Sequence, residues 1–437
     1  MTKSSPMRAP DKVSDVVAKK ACYVGVAGKA RKVKKIYTGV ANKARKVKKA
    51  YVGVGGVARP FFSAEQKLSY YGTVTPLADG RAYFQATTVG GYGLFGGGYA
   101  GKILSTVDAY STSLVHSTPT SLSEVRYDLA ATTVGNYALF GGGHSADSVT
   151  ESDIFLPTVD AYSTSLVRNT PTELSERRTV LAATTVGNYG LFGGGYLILK
   201  NMSYISFPTV DAYSASLVRS TPASLSEAKY GLAATTVGDF GLFGGGNDRY
   251  HDASSVVDAY SATLVRSTPT ALSEARNNLA ATSVGGYALF GGGNGFDTVD
   301  AYSTTLVRST PSVLSEERHN MAATTVGDYG LFGGGGLLRE TQFSSTVDAY
   351  SSTLVRSTPT GLSFSRGGLA ATTVGNYGLF GGGTNYNAYY ITVDAYTVDG
   401  GGSKPSNPDR PIDPPPDKPD DLHHKYPGGS WPDKTPP

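Results

Sequence analysis

The chain has 437 residues, of which 40% are hydrophobic and only 17% charged, with 55 glycines and a single tryptophan. This profile argues against a helical protein and suits many short strands joined by tight turns. The formal charge of +4 is uneven: residues 1–60 hold 16 of the 39 Lys+Arg but only 2 of the 35 Asp+Glu, so a basic head precedes an acidic body.

Two parts of opposite charge are expected to meet different partners. Cys22 is the one cysteine, so no intrachain disulfide can form. Met1 to Lys20 holds no apolar run of signal-peptide kind, and no stretch approaches the roughly 18–20 apolar residues of a membrane span. The expectation is a chain made and folded in a cytoplasm, with no membrane insertion.

Residues 1–18 are expected to be disordered. From 19 to 62 a short basic repeat runs through KKACYVGVAGKARKV, KKIYTGVANKARKV and KKAYVGVGGVARPFF, with Tyr23, Tyr37 and Tyr51 marking a period of 14. Each copy reads as a small β-hairpin with its turn near Ala27-Gly28, Ala41-Asn42 or Gly55-Gly56. Modules of this wording resemble segments of tail-associated proteins from phages and prophages of Gram-positive bacteria. The resemblance implies a module that docks onto other virion or tail proteins. Charge alone would also allow nucleic acid, but the head has one Tyr per copy and no known reader motif, so no nucleic-acid partner is expected.

Residues 63–399 carry a longer repeat of the form STPTSLSEARxxLAATTVGNYGLFGGG–loop–TVDAYSTSLVR. The triple glycine begins at Gly96, Gly141, Gly193, Gly244, Gly291, Gly333 and Gly381, and the Asp of Val-Asp-Ala-Tyr stands at 108, 160, 211, 258, 300, 348 and 394. From each of the first six Asp residues to the next repeat proline is always 11 residues, and from that proline to the next triple glycine always 22. Only the segment between the glycines and Val-Asp-Ala-Tyr varies, from 5 residues at 294–298 to 15 at 144–158. Each copy is therefore a fixed frame with one variable loop.

The frame reads as four strands, at 129–134, 137–140, 158–162 and 165–170 in one copy, the last ended by Pro171. Alternation puts Val and Ala of Val-Asp-Ala-Tyr on one face and Asp and Tyr on the other. The last copy stops after its third strand, and Leu68–Pro76 aligns with a fourth. That segment is expected to complete the last copy and close a ring without an open edge.

A period of 42–52 residues with four strands and a glycine cluster resembles the kelch propeller. The order of features matches: a basic residue, a first strand, a second ending in glycines, a third carrying Tyr, then a fourth. Two features depart: Leu166-Val167 stands where kelch repeats carry Trp, and the Asp precedes the Tyr. The expected fold is all-β, a seven-bladed kelch-like propeller over about three quarters of the chain. Residues 400–437, rich in Gly, Pro and Asp, read as a disordered tail.

No chemistry-bearing constellation stands out. The glycines are not followed by Lys-Ser/Thr and a helix, as a phosphate loop requires. Seven equivalent Asp residues around a ring cannot converge on one ion, so no metal or other cofactor is expected. A copper site of the galactose-oxidase kind needs a Tyr–Cys crosslink and His ligands, but the propeller has no Cys and only His116, His144, His251 and His319. A sialidase would show Asp-box repeats with Trp, and Trp431 lies in the tail. The chain is therefore not expected to be an enzyme. The recurring basic set Arg81, Arg126, Arg178, Lys229, Arg276, Arg318 and Arg366 could form an anion-binding ring, but a structural role bridging neighbouring blades is the favoured reading.

Antiparallel connectivity places all the length variation at one end of the blades, while the turns at the other end stay uniform. The variable loops are rich in Tyr, Asn, Asp and Ser, as in adaptable binding surfaces. The expected ligand-binding residues are Tyr99, Lys102, His144, Asp147, Tyr196, Tyr204, Asn247, Arg249, Tyr250, Asn294, Phe296, Arg339, Tyr386 and Tyr389. The two residues after each basic residue also vary, which puts Tyr83, Tyr127, Tyr230, Asn277 and His319 at the channel mouth. The resulting expectation is a virion-associated binding protein whose propeller meets a host-surface glycan or protein. The alternatives are a decoration protein contacting other virion subunits and, more weakly, a polysaccharide-acting enzyme. A homo-oligomer stays open.

Overall fold

The computed structural model describes residues 67–398 apart from 147–152, 202 and 338–341, together with the backbone of six strands between 23 and 63. The expectations for 1–18 and for 400–437, and the candidates Asp147 and Arg339, lie outside the described residues. The chain divides into two units, Met1–Lys67 and Leu68–Pro437.

In the first unit Tyr23–Val26 pairs antiparallel with Lys29–Lys32, Ile36–Val40 with Lys43–Val47, and Lys49–Val54 with Val57–Ser63. Each pair leaves two residues between its strands.

The second unit is a propeller of seven four-stranded antiparallel sheets. Blade 2 is representative: Ala130–Val134, Tyr137–Gly141, Val159–Ser163 and Arg168–Asn169. The first three strands fall within a residue of their expected positions. The fourth is only two residues long, against the six expected. Leu166, with a left-handed φ of 61°, makes the turn after Ser163, and Ser163 and Val167 are already paired across it, so pairing resumes only at Arg168 and ends before Pro171. Leu166 packs against the core while Val167 faces solvent.

Each blade is sandwiched between two others. Both faces of Val-Asp-Ala-Tyr are accordingly buried rather than one. The apolar cores lie between blades; one joins Leu94 and Val107 of blade 1 to Phe140 and Tyr162 of blade 2. The triple glycine makes this packing possible. A Cβ on Gly141 would lie 2.8 Å from the ring of Phe192 in the next blade, and Gly142 has φ +69° with the carbonyl of Arg178 2.7 Å from where its Cβ would stand.

The inner strands are stitched together by threonines. Thr132 meets Thr185 of blade 3 at 2.9 Å, while Thr133 meets Thr87 of blade 1 at 2.9 Å and donates to the carbonyl of Thr88. The ring closes as expected: Leu68–Thr73 pairs antiparallel with Val393–Val398 and serves as the fourth strand of blade 7. Among the described residues no helix is long and apolar enough to cross a membrane.

Candidate binding face

The basic set lies beneath the face, not on it. Arg126 is fully buried and reaches Asp160 of its own blade, at 2.5 Å; Arg81, Arg178, Arg276, Arg318 and Arg366 do the same in theirs. Lys229 stands 3.7 Å from Asp258 and donates to the carbonyl of Val256. The side chains therefore do not bridge neighbouring blades. The bridge is made by the backbone: the N–H of Gly98 in blade 1 donates to the carbonyl of Arg126. With each basic group and each Asp consumed in a buried pair, these residues offer no open site for an anion or a metal.

The variable pair after each basic residue divides its work. The first residue extends the sheet outward. Tyr127 bridges to His144, Tyr230 to Asn247 and His319 to Gly336, and the N–H of Asn294 donates to the carbonyl of Asn277. The second residue forms a feature with no sequence signature. Tyr83, Asp128, Val180, Asn278 and Asn320 all have φ between 49° and 58°, and Gly231 and Gly368 have 63° and 62°. Each N–H donates to the carbonyl of its counterpart in the preceding blade, from Tyr83→Gly368 round to Gly368→Asn320, at 2.9–3.1 Å. Seven hydrogen bonds thus close on themselves around the axis. The backbone makes every bond, which leaves the side chains free to vary. Burial pushes the Asp128 carboxyl up to about 7.

Around this ring the loops gather aromatic side chains. Successive centroids lie 5.8 Å apart for Tyr389–Tyr99, 5.6 Å for Tyr99–Tyr127, 3.9 Å for Tyr127–His144, 5.7 Å for His144–Phe155 and 6.3 Å for Phe155–Tyr196. From Tyr196 the series branches, to Tyr230 at 4.7 Å and to Tyr204 at 5.5 Å, and Tyr204 meets His251 at 4.9 Å. Two short hairpins hold it: His144–Ala146 paired with Asp153–Phe155, and Tyr196–Ile198 paired with Tyr204–Ser206. The arc spans blades 7, 1, 2, 3 and 4.

The arc divides the expected ligand-binding residues into support and surface. His144, Tyr196 and Asn247 are buried. They are corrected to scaffold. His144 meets Thr179 at 3.1 Å, and burial lowers its pKa to about 4; Asn247 accepts from the side chain of Asn277, itself buried rather than open at the mouth. Tyr83, Tyr99, Tyr127, Tyr204, Tyr230, Tyr389, Asn294, Phe296 and His319 are half-buried. Lys102, Arg249, Tyr250 and Tyr386 are exposed. Phe155 and His251 of the arc and Glu227 and Asp248 beside it are not singled out by the sequence. Their signal is present in the loop wording, but their positions depend on how each loop folds.

Between the loops of blades 3 and 4 lies a cleft of about 360 Å³ lined by Tyr204, Ile205, Ser206, Glu227, Ala228, Asp248, Arg249 and Tyr250. A smaller recess near the axis is lined by Tyr83, His319, Asn320, Phe343 and Tyr386 among others.

No protein-family model matches this chain, and no curated protein matches it. Among solved structures, one titled "Structure of YjhT" matches with a TM-score of 0.50 and 11% identity, over 63% of this chain and 97% of that one. The likeness is one of fold. It agrees with the seven-bladed propeller described above.

Proposed function

We propose that this chain is a virion-associated binding protein of a phage or prophage tail. Its basic repeats dock it to other tail proteins, and the variable-loop face of the propeller takes a ligand on the host surface. The observation that carries the reading is the confinement of diversity. Seven blades share one interior and one uniform set of turns, while loop length and chemistry change only at the opposite end, where aromatic rings collect around the axis. The resemblance of the head repeats to tail-associated segments supports the location. Conversion of a bound ligand forms no part of the reading, and no cofactor is needed for it.

The test compares the full chain with a version whose loops 144–158 and 196–209 are cut to the five-residue length of 294–298. Both are applied to whole Gram-positive cells and to a glycan array. Binding by the intact chain that is lost in the short-loop version is the expected result. Equal behaviour of the two folded proteins on cells and array would sink the reading and direct attention to partners within the virion.

A further inference from the structure

The cleft between blades 3 and 4 differs from the rest of the face in being both open and braced. Tyr250 is 65% exposed and Ile205 38%, so two apolar surfaces face solvent at one place. The loop carrying Tyr250 is fixed from within: Oδ1 of Asp248 accepts the N–H groups of Tyr250 and Asp252 at 2.7 and 3.0 Å, and His251, at φ 68°, donates its N–H to the carbonyl of Asp248. The Arg249 guanidinium lies over the Tyr250 ring, 4.6 Å from its centroid, and donates to its hydroxyl, which ties the two side chains together. Across the cleft Tyr204 packs edge-on against His251 at 4.9 Å. Such a site is organised before any ligand arrives, so little ordering entropy is lost on binding.

The charge balance narrows the occupant. Two carboxylates, Glu227 and Asp248, line the cleft together with one guanidinium, so an anionic ligand gains nothing from the field. A basic peptide would meet the Arg249 guanidinium, and each carboxylate is held by its own protein through one oxygen, Asp248 through Oδ1 and Glu227 through Oε1, which fixes the second oxygen as an acceptor for a neutral hydroxyl. What remains is a rigid aromatic wall beside fixed acceptors and a fork of N–H donors. That combination matches a polyol with an apolar C–H face. We infer that this cleft binds a short, uncharged, hexose-containing oligosaccharide, with Tyr250 stacking on a sugar ring and Arg249, Asp248 and Glu227 meeting its hydroxyls. The volume falls in the range of small-ligand sites. The inference rests on the host-surface reading above and locates its ligand subsite.

The experiment uses the full chain and its Tyr250→Ala, Arg249→Ala and Val355→Ala variants. The probes are an array of neutral, amino, uronate and sialyl oligosaccharides and whole Gram-positive cells. The wild type is expected to bind neutral members. Tyr250→Ala should weaken that binding about tenfold and Arg249→Ala about fivefold, whereas Val355→Ala, exposed in the uniform turn at the opposite end of blade 6, should stay within about twofold of the wild type. All three side chains are exposed, and unchanged melting temperatures confirm folding. Undiminished binding in both cleft variants would overturn the site while leaving the host-surface function standing. Adsorption to cells with no neutral sugar bound, or a preference for uronate or sialyl members, would overturn the ligand class. Failure to bind cells and array alike would remove the functional reading together with the cleft.

Discussion

Arg126 donates through Nη2 to Oδ2 of Asp160 at 2.5 Å, and neither side chain has exposed surface. The same guanidinium donates to the carbonyl of Thr158 at 2.6 Å, and the carboxylate also accepts from the hydroxyl of Ser123 at 3.0 Å. One buried pair thus joins the link entering the blade, the base of the variable loop and the third strand. Removing one partner strands the other in a low-dielectric interior. Asp160→Ala is expected to cost about 3–5 kcal/mol. Chemical denaturation of the variant checks this, and a loss below about 1 kcal/mol would mean that the pair is not the anchor of the blade.

Blade 4 carries a natural variant of that anchor. The ammonium of Lys229 stops 3.7 Å short of Asp258, since a point charge lacks the planar fork that reaches carboxylate and backbone together. Lys229→Arg should therefore stabilise the propeller by about 1 kcal/mol, and Arg126→Lys should destabilise it by a similar amount. Thermal melts of the two single variants, moving in opposite directions, are the expected result.

The repeat makes much of this architecture legible in the sequence. Fixed spacings from Asp to proline and from proline to glycine locate three strands per blade, and the unpaired ends of the repeat array identify Leu68–Pro76 as the closing segment, of which Leu68–Thr73 forms the strand. The anchor itself is less visible. Arg126 and Asp160 lie 34 residues apart but Arg276 and Asp300 only 24, because the variable loop falls between them. No constant spacing announces the partnership. The axial ring is hidden for a different reason: its bonds are made by peptide groups, and Tyr, Asp, Val, Gly and Asn all serve. On the variable-loop face the composition names the side chains, but burial sorts them, placing His144, Tyr196 and Asn247 beneath the surface.

The glycines allow a sharper test of the interface between blades. Gly141→Ala brings a methyl group to 2.8 Å from the Phe192 ring, an overpacking expected to cost about 1–3 kcal/mol. Phe192→Leu in the same chain should recover part of that loss, since the obstacle is a side chain. Gly142→Ala meets the Arg178 carbonyl and a left-handed φ of +69° instead, so truncating a neighbouring side chain should not rescue it. Denaturation midpoints of the four proteins separate the cases; rescue of neither or of both would contradict this packing.

Closure by the N-terminal strand predicts a defect that can be repaired in trans. Tyr70 donates to Oδ1 of Asp394 at 2.6 Å and lies 5.3 Å from the ring of Tyr396, so the strand supplies side chains as well as pairing. A chain beginning after Pro76 should expose the edge of Val393–Val398, melt at lower temperature and self-associate. A synthetic peptide covering 68–76 should bind that edge and restore the melting temperature. An unshifted melt in the truncated protein would show that the ring does not need its closing strand.

Asp128 makes the axial ring a source of pH dependence. Its folded pKa of about 7 stands above the unfolded value of 3.8. Between these values the folded state holds the extra proton, so this group's contribution falls as pH rises from about 4 to about 7 and stays at its least favourable above. His144 works in the opposite sense: lowered to about 4 from 6.5, it is stabilising above 6.5 and loses that contribution as pH falls towards 4. The two trends oppose each other in the whole protein, and a single substitution separates them. Asp128→Asn keeps a similar shape without the charge. Its stability should match the wild type near pH 4 and exceed it increasingly up to about pH 7, with a constant gap from there to pH 8. Denaturation midpoints of both proteins across that range supply the check, and a gap that does not change with pH would show that Asp128 titrates as it does in the unfolded chain.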